Sequence, residues 1–152
     1  MIIVVSTDDK KLKTVAENLS KTQSAVYGSC YQAWGGTAIP QLGVNENLFV
    51  TAHGAYEGDD NNPVIGDGKK AHYVNAVDFY NNIKSIFPQN YAGAVYISAC
   101  EAADHSDEDF SFAEAFRNQI DVHHNVRVFG QKGSVGYTIP LPSSSQWVEA
   151  TI

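Results

Sequence analysis

The chain is short of positive charge, of cysteine and of long apolar runs, and each shortage removes a class of function. Ten Lys and Arg stand against 17 Asp and Glu, a formal net charge of −7 at pH 7. Binding a phosphate backbone needs a basic face; no basic tract is visible, so no nucleic-acid partner is expected. Cysteine occurs only at Cys30 and Cys100, too few for the disulfide framework of a small secreted scaffold. No stretch approaches the ~18 apolar residues of a membrane span. The apolar start, Met1 to Val5, lacks both the length and the basic leader of a signal peptide. A cytoplasmic location is the expectation, with export by a route that uses no cleaved signal left open.

What is present describes a globular domain. Hydrophobic residues make up 43% and charged residues 18% of 152 residues, enough for one domain (1–152) that buries roughly 70% of its unfolded surface. Ile2 to Val5 reads as a buried strand, and Ser6-Thr7-Asp8-Asp9 as a capping cluster before a helix carried by Leu12, Val15, Ala16 and Leu19. Residues 24–31 read as a second strand interrupted by Gly28, and residues 32–47 as a loop. Leu48 to Ala52 is a strand that closes on His53-Gly54. The Gly-, Asp- and Asn-rich residues 56–70 read as a mobile loop on the same rim. A helix over 74–86 ends at Pro88, and the strand 94–99 delivers Cys100. Ser106-Asp107-Glu108-Asp109 reads as the cap and acidic first turn of a helix whose buried face is Phe112, Ala113, Phe116 and Ile120. A strand at 126–129 follows, with candidate edge strands at 135–139 and 147–151. Alternating strands and helices imply an α/β fold, a mostly parallel sheet covered on both faces.

In such a sheet, side chains beyond the carboxyl ends of strands share one rim. His53 and Cys100 both stand there, one able to take a thiol proton and the other able to attack a carbonyl. Gly54 presents a backbone N–H with no side chain in front of it, so the Gly54 and Cys100 amides are candidate oxyanion donors.

The two blocks Phe49-Val50-Thr51-Ala52-His53-Gly54 and Tyr96-Ile97-Ser98-Ala99-Cys100-Glu101 resemble the caspase-like cysteine peptidases of clan CD. That group includes caspases, metacaspases, legumain and the CHAT domains, and Ser-Ala-Cys is nearest the CHAT type. The resemblance implies a three-layer α/β/α sandwich around a six-stranded sheet in the order 2-1-3-4-5-6. It also implies a His53/Cys100 dyad, a protein or peptide substrate and no cofactor. The specificity pocket would be drawn from Thr7, Asp8, Ser98 and Val135 to Tyr137. With Asp8 in that pocket, a basic residue is expected at the cleaved bond. Ser98 stands where caspases carry Gln, legumain Glu and metacaspases Asp, so the motif itself does not set the preference.

Other readings compete. A catalytically silent binding module could use the acidic 56–70 loop as its contact surface. A glutaminase-like hydrolase lacks support, because no G-x-C-x-G surrounds Cys100 and histidine precedes cysteine. Cys100, His105, His123 and His124 lack metal-ligand spacing. The residues from Asp59 to Pro63 lack the order of an EF-hand loop, and Gly130, Gly133 and Gly136 precede no helix that would cradle a phosphate.

Overall fold

The computed structural model describes residues 1–59, 62–69, 72–106, 109–121 and 125–151. Five parallel strands and one antiparallel edge strand form the main sheet: β1 (Ile2–Val4), β2 (Cys30–Gln32), β3 (Leu48–Thr51), β7 (Ala94–Ser98), β8 (Arg127–Gly130) and β9 (Val148–Glu149). Their spatial order is β2-β1-β3-β7-β8-β9. A second, antiparallel sheet of β4 (His53–Asp59), β5 (Asn62–Gly66) and β6 (Tyr73–Asn75) rises from the end of β3.

The continuous apolar runs are central strands because both of their faces are covered. Residue alternation divides them: Ile3, Val50, Ile97 and Val128 face one way and Ile2, Phe49 and Tyr96 the other. The first face packs against α3 (Ala76–Ile83) and α4 (Phe112–Asp121) through Phe79, Tyr80, Phe112 and Phe116. The second packs against α1 (Lys10–Thr22) and α2 (Ser24–Tyr27) through Leu12, Ala16 and Tyr27. Two helical layers therefore enclose the sheet. Register sets Phe49, Tyr96 and Phe129 side by side on three strands. Their rings stack at 5.1 and 4.9 Å, with Tyr27 edge-on to Phe49 and Trp147 edge-on to Tyr96. Such pairs add about 0.5–1.5 kcal/mol beyond their burial.

Four sequence expectations change. Residues 24–31 are not one strand: Ser24–Tyr27 is a helical turn that drops Tyr27 into the core, where its hydroxyl donates to the Ile139 carbonyl at 2.6 Å. Gly28, at φ 67°, then turns the chain into β2. The stretch 56–70 is not a loop throughout, because Val64 and Ile65 are buried and pair β5 with β4; residues 60, 61 and 70 lie outside the described residues. Residues 135–139 form no strand: Val135 and Tyr137 lie at the sheet's carboxyl rim, and Ile139 is buried on the Ile2 and Phe49 face, ahead of Pro140. The cap of α4 is Ser111, not Ser106. Its backbone N–H donates to Glu114 Oε1 while its hydroxyl accepts the Glu114 N–H, a reciprocal box that outcompetes the acidic run as a helix start. Asp107, Glu108, His123 and His124 lie outside the described residues.

Fully buried Phe49, packed between Tyr27 and Tyr96, gives the first prediction. Phe49→Ala should lower stability by about 3–5 kcal/mol in urea unfolding. A loss below 1 kcal/mol would show that the row is not a principal support.

Candidate active site

The loops after β1, β3, β7 and β8 leave the same edge of the sheet, and their side chains meet there. Sheet hydrogen bonding runs on past the strands: Val5 N–H donates to Thr51 O at 2.9 Å and Ala52 N–H to Ser98 O at 3.3 Å. His53 therefore emerges from a rigid base. The chain turns at this point from the main sheet into the β4–β6 ribbon, and Gly54 permits the turn. A Cβ at position 54 would overlap the carbonyl oxygen of Cys100 and crowd Ala99. The close approach that excludes any other residue also sets the His53-Gly54 backbone against Cys100.

Cys100 lies just beyond β7, in a turn completed by Glu101 at φ 61°, a conformation costly for a residue with a side chain. Backbone pairing with the loop after β8 holds it: Glu101 N–H donates to Gly133 O at 2.8 Å and Ala103 N–H to Gln131 O at 2.9 Å. The same pairing brings Val135 over the thiol, and Val135 N–H donates to Cys100 Sγ at 3.4 Å.

His53 has a carboxylate partner. Its Nε2 lies 2.7 Å from Asp9 Oδ2, and its ring rests on Gly68, where an added Cβ would stand 3.3 Å from ring atoms. Asp9 Oδ1 meanwhile accepts the Lys11 and Leu12 amides as the N-cap of α1. Burial pushes the Asp9 carboxyl up, but the Leu12 amide, His53 and the Tyr137 hydroxyl together hold it below the usual carboxylate range. With its Nε2 on the Asp9 carboxylate, the ring turns Nδ1 away from that partner. Tyr137 in turn is pushed up by the Asp9 charge and its hydrogen bond.

His53 and Cys100 line one cavity of about 310 Å³, together with Leu12, Ala52, Val135, Gly136 and Tyr137. Of the residues expected at the specificity pocket, Val135 and Tyr137 are there. Asp8 is not: its carboxylate accepts Gly68 N–H at 3.1 Å and Lys69 N–H at 2.9 Å. Ser98 is buried and donates to Gln131 Oε1 at 3.1 Å. Thr7 donates its hydroxyl to Asp67 Oδ2 at 2.6 Å. At the second thiol, burial pushes Cys30 up to about 11, so little thiolate forms there near neutral pH. His105 pairs with Glu114 at 3.5 Å and His72 lies against Trp34, both apart from the 310 Å³ cavity. No group of three or more metal-ligating side chains occurs among the described residues.

Sequence reasoning identified His53, Gly54 and Cys100 as candidates but assigned Asp9 to capping alone. The missing signal was topological, since Asp9 follows the strand beside that of His53 and so reaches the same rim. Asp67 and Gly68, hidden in a stretch rich in turn residues, carried no signal. Compared with protein-family models, curated proteins and solved structures, the chain matches none.

Asp9→Asn tests the pairing, because asparagine caps a helix as well as aspartate does but leaves His53 without its charge. The folded state depresses the Asp9 carboxyl, so this stabilisation is complete above the ordinary carboxylate range and is lost as pH falls through the folded value. Wild type should be the more stable form at pH 7, and the difference should shrink as pH is taken below the ordinary carboxylate value of about 4. Urea unfolding of both proteins across that range reads it; a difference independent of pH would remove the charge from the account.

Proposed function

We propose that this protein is a cysteine endopeptidase of caspase-like architecture, with Cys100 as nucleophile, His53 as proton shuttle and Asp9 as the residue that positions His53. The observation that supports it best is that His53, oriented by an ionised carboxylate, and Cys100, with an amide on its sulfur, open onto one cavity at the sheet's carboxyl rim. In the first step Nδ1 of His53 takes the Cys100 proton while sulfur bonds to the scissile carbonyl carbon, whose oxygen becomes the oxyanion. The backbone amides of Gly54 and Cys100 are the proposed donors to that oxygen. Collapse of the adduct breaks the C–N bond, and His53 passes its proton to the leaving amine. Water then attacks the thioester by the same route and restores the thiol.

The cavity also revises the expected substrate. Its lining includes no carboxylate, Asp8 being held by the ribbon amides, and Lys11 Nζ sits 4.8 Å over the Tyr137 ring that forms one wall. An apolar side chain at the cleaved residue suits Leu12, Ala52 and Val135 better than the basic one that Asp8 suggested.

Two experiments follow. Treatment with a peptidyl acyloxymethyl ketone should place the adduct on Cys100, lose it in His53→Ala, and leave Cys30 unmodified by mass spectrometry. Labelling of Cys30, or undiminished labelling of Cys100 without His53, would refute the activated pair. Secondly, a Cβ at Gly136 meets nothing within 4 Å and its φ is ordinary, so Gly136→Phe should fold normally and fill the cavity. Its kcat/KM for cleavage after Leu should fall at least about tenfold relative to cleavage after Ala. An unchanged ratio would place the cleaved side chain elsewhere.

A further inference from the structure

Beside the His53 cavity lies a second one, of about 320 Å³, between the first turn of α1 and the turn that follows β2. Trp34, Asp9, Lys10 and Lys13 are among its walls. Asp9 is common to it and to the His53 pair, so the two adjoin.

Two features of this cavity run against stability. The first is Trp34, a bulky residue at φ 58° and still 43% exposed. Left-handed backbone of that kind persists where surrounding structure imposes it. Here Gln32 Nε2 donates to Val4 O, Ser6 O and Ala33 O at 3.2, 2.7 and 3.0 Å, and the His72 ring lies 5.6 Å from the indole. The indole lies beside the His72 ring and stays 43% exposed, an arrangement suited to an aromatic contact surface. The second is charge. Lys10, Lys11 and Lys13 occupy the first turn of α1, which contains no acidic residue, at the helix end where a cation is disfavoured. Lys69 joins the same rim, its amide on Asp8. Four of the chain's 10 Lys and Arg therefore gather on one edge of a molecule of net charge −7. The acidic groups facing them are committed: Asp8 to ribbon amides, Asp9 to His53 and the α1 cap. Glu17 approaches Lys13 at 3.9 Å with both side chains exposed. Stability alone would place neither the strained indole nor these cations there.

We propose that this second cavity is a recognition subsite for an acidic stretch of the substrate chain, with Trp34 packing on the peptide and Lys10 and Lys13 pairing its carboxylates. It rests on the reading of the His53/Cys100 cavity as a peptide-cleaving site and names the flanking sequence that such a substrate carries. The substrate then combines an uncharged residue at the cleaved bond with acidic residues that reach toward Trp34.

The test uses the Cys100→Ala protein and two hexapeptides that share a Leu and differ only by two Glu or two Gln. Binding is read by Trp fluorescence, whose change on peptide contact reports Trp34 because Trp147 is only 9% exposed, and independently by equilibrium dialysis. The Glu peptide should bind about fivefold more tightly at low salt and quench fluorescence, and the quenching should be absent in Trp34→Phe. In Lys10→Glu/Lys13→Glu the preference should disappear while the melting temperature stays level or rises. Equal affinity for both peptides, a preference that survives the lysine changes, or equal quenching by inorganic tripolyphosphate would overturn the proposal. If neither peptide binds while the ketone still labels Cys100, the subsite is wrong and the peptidase reading stands. Binding of the Glu peptide with no cleavage by the wild type would have the reverse meaning.

Discussion

Three carboxylates that accept hydrogen bonds across chain segments hold the rim together. Asp8 takes two amides of the β5–β6 connection, and Asp9 takes His53 and the start of α1. Asp67, buried, takes the amide and hydroxyl of Thr7 and the amide of His72. Each joins the β1–α1 loop to the β4–β6 ribbon. Asp67 is held below the usual carboxylate range because the Thr7 and His72 donors outweigh the burial that pushes it up. A charged acceptor with several backbone donors is about twice as strong as a neutral one. The orientation of His53 is thereby fixed by carboxylate geometry, whereas the sheet beneath supplies only its position. Acidity that looked like a solvated surface in the sequence is, at these three positions, internal wiring.

The central strands and the placing of His53 and Cys100 on one rim were legible because both depend on local pattern. Ile2 to Val5, Leu48 to Ala52 and Ala94 to Ala99 are apolar runs that sequence alone marks as buried, and each ends on the side chain or capping group that the sheet then presents. What could not be read depends on contacts between distant residues. The 24–27 helix exists because Tyr27 meets Phe49 and the Ile139 carbonyl, 112 residues away. β5 exists because Val64 and Ile65 have a core to enter, although their neighbours are turn formers. Asp8 reads the same in sequence whether it faces a substrate or two amides, and only the placement of Gly68 and Lys69 decides between them.

The two cysteines show how environment separates identical groups. Cys30 sits within β2 with Glu17 near it, where burial and that negative charge both oppose a thiolate. Cys100 lies past the end of its strand with the Val135 amide directed at its sulfur. Within a strand the backbone N–H groups lie in the plane of the sheet while side chains stand perpendicular to it, so the strand's own amides do not face its thiol. A strand end followed by a reversal turns amides of the next loop toward the side chain.

Strain is distributed in the same way. Among the described residues two without a glycine's freedom take left-handed backbone, Trp34 and Glu101, and both stand on the carboxyl rim. Glu101 is pinned from outside its own turn by the Gly133 carbonyl, and the turn that holds Trp34 is tied to the end of β1 by the Gln32 amide on Val4 O and Ser6 O. A glycine at either position would relieve of order 1–3 kcal/mol of conformational cost. Retaining a side chain there instead fixes where the indole stands and how sharply the chain reverses after Cys100. The sheet is locally consistent at every level, from pattern to packing, and the departures from that consistency collect where a site needs rigid groups in exposed positions.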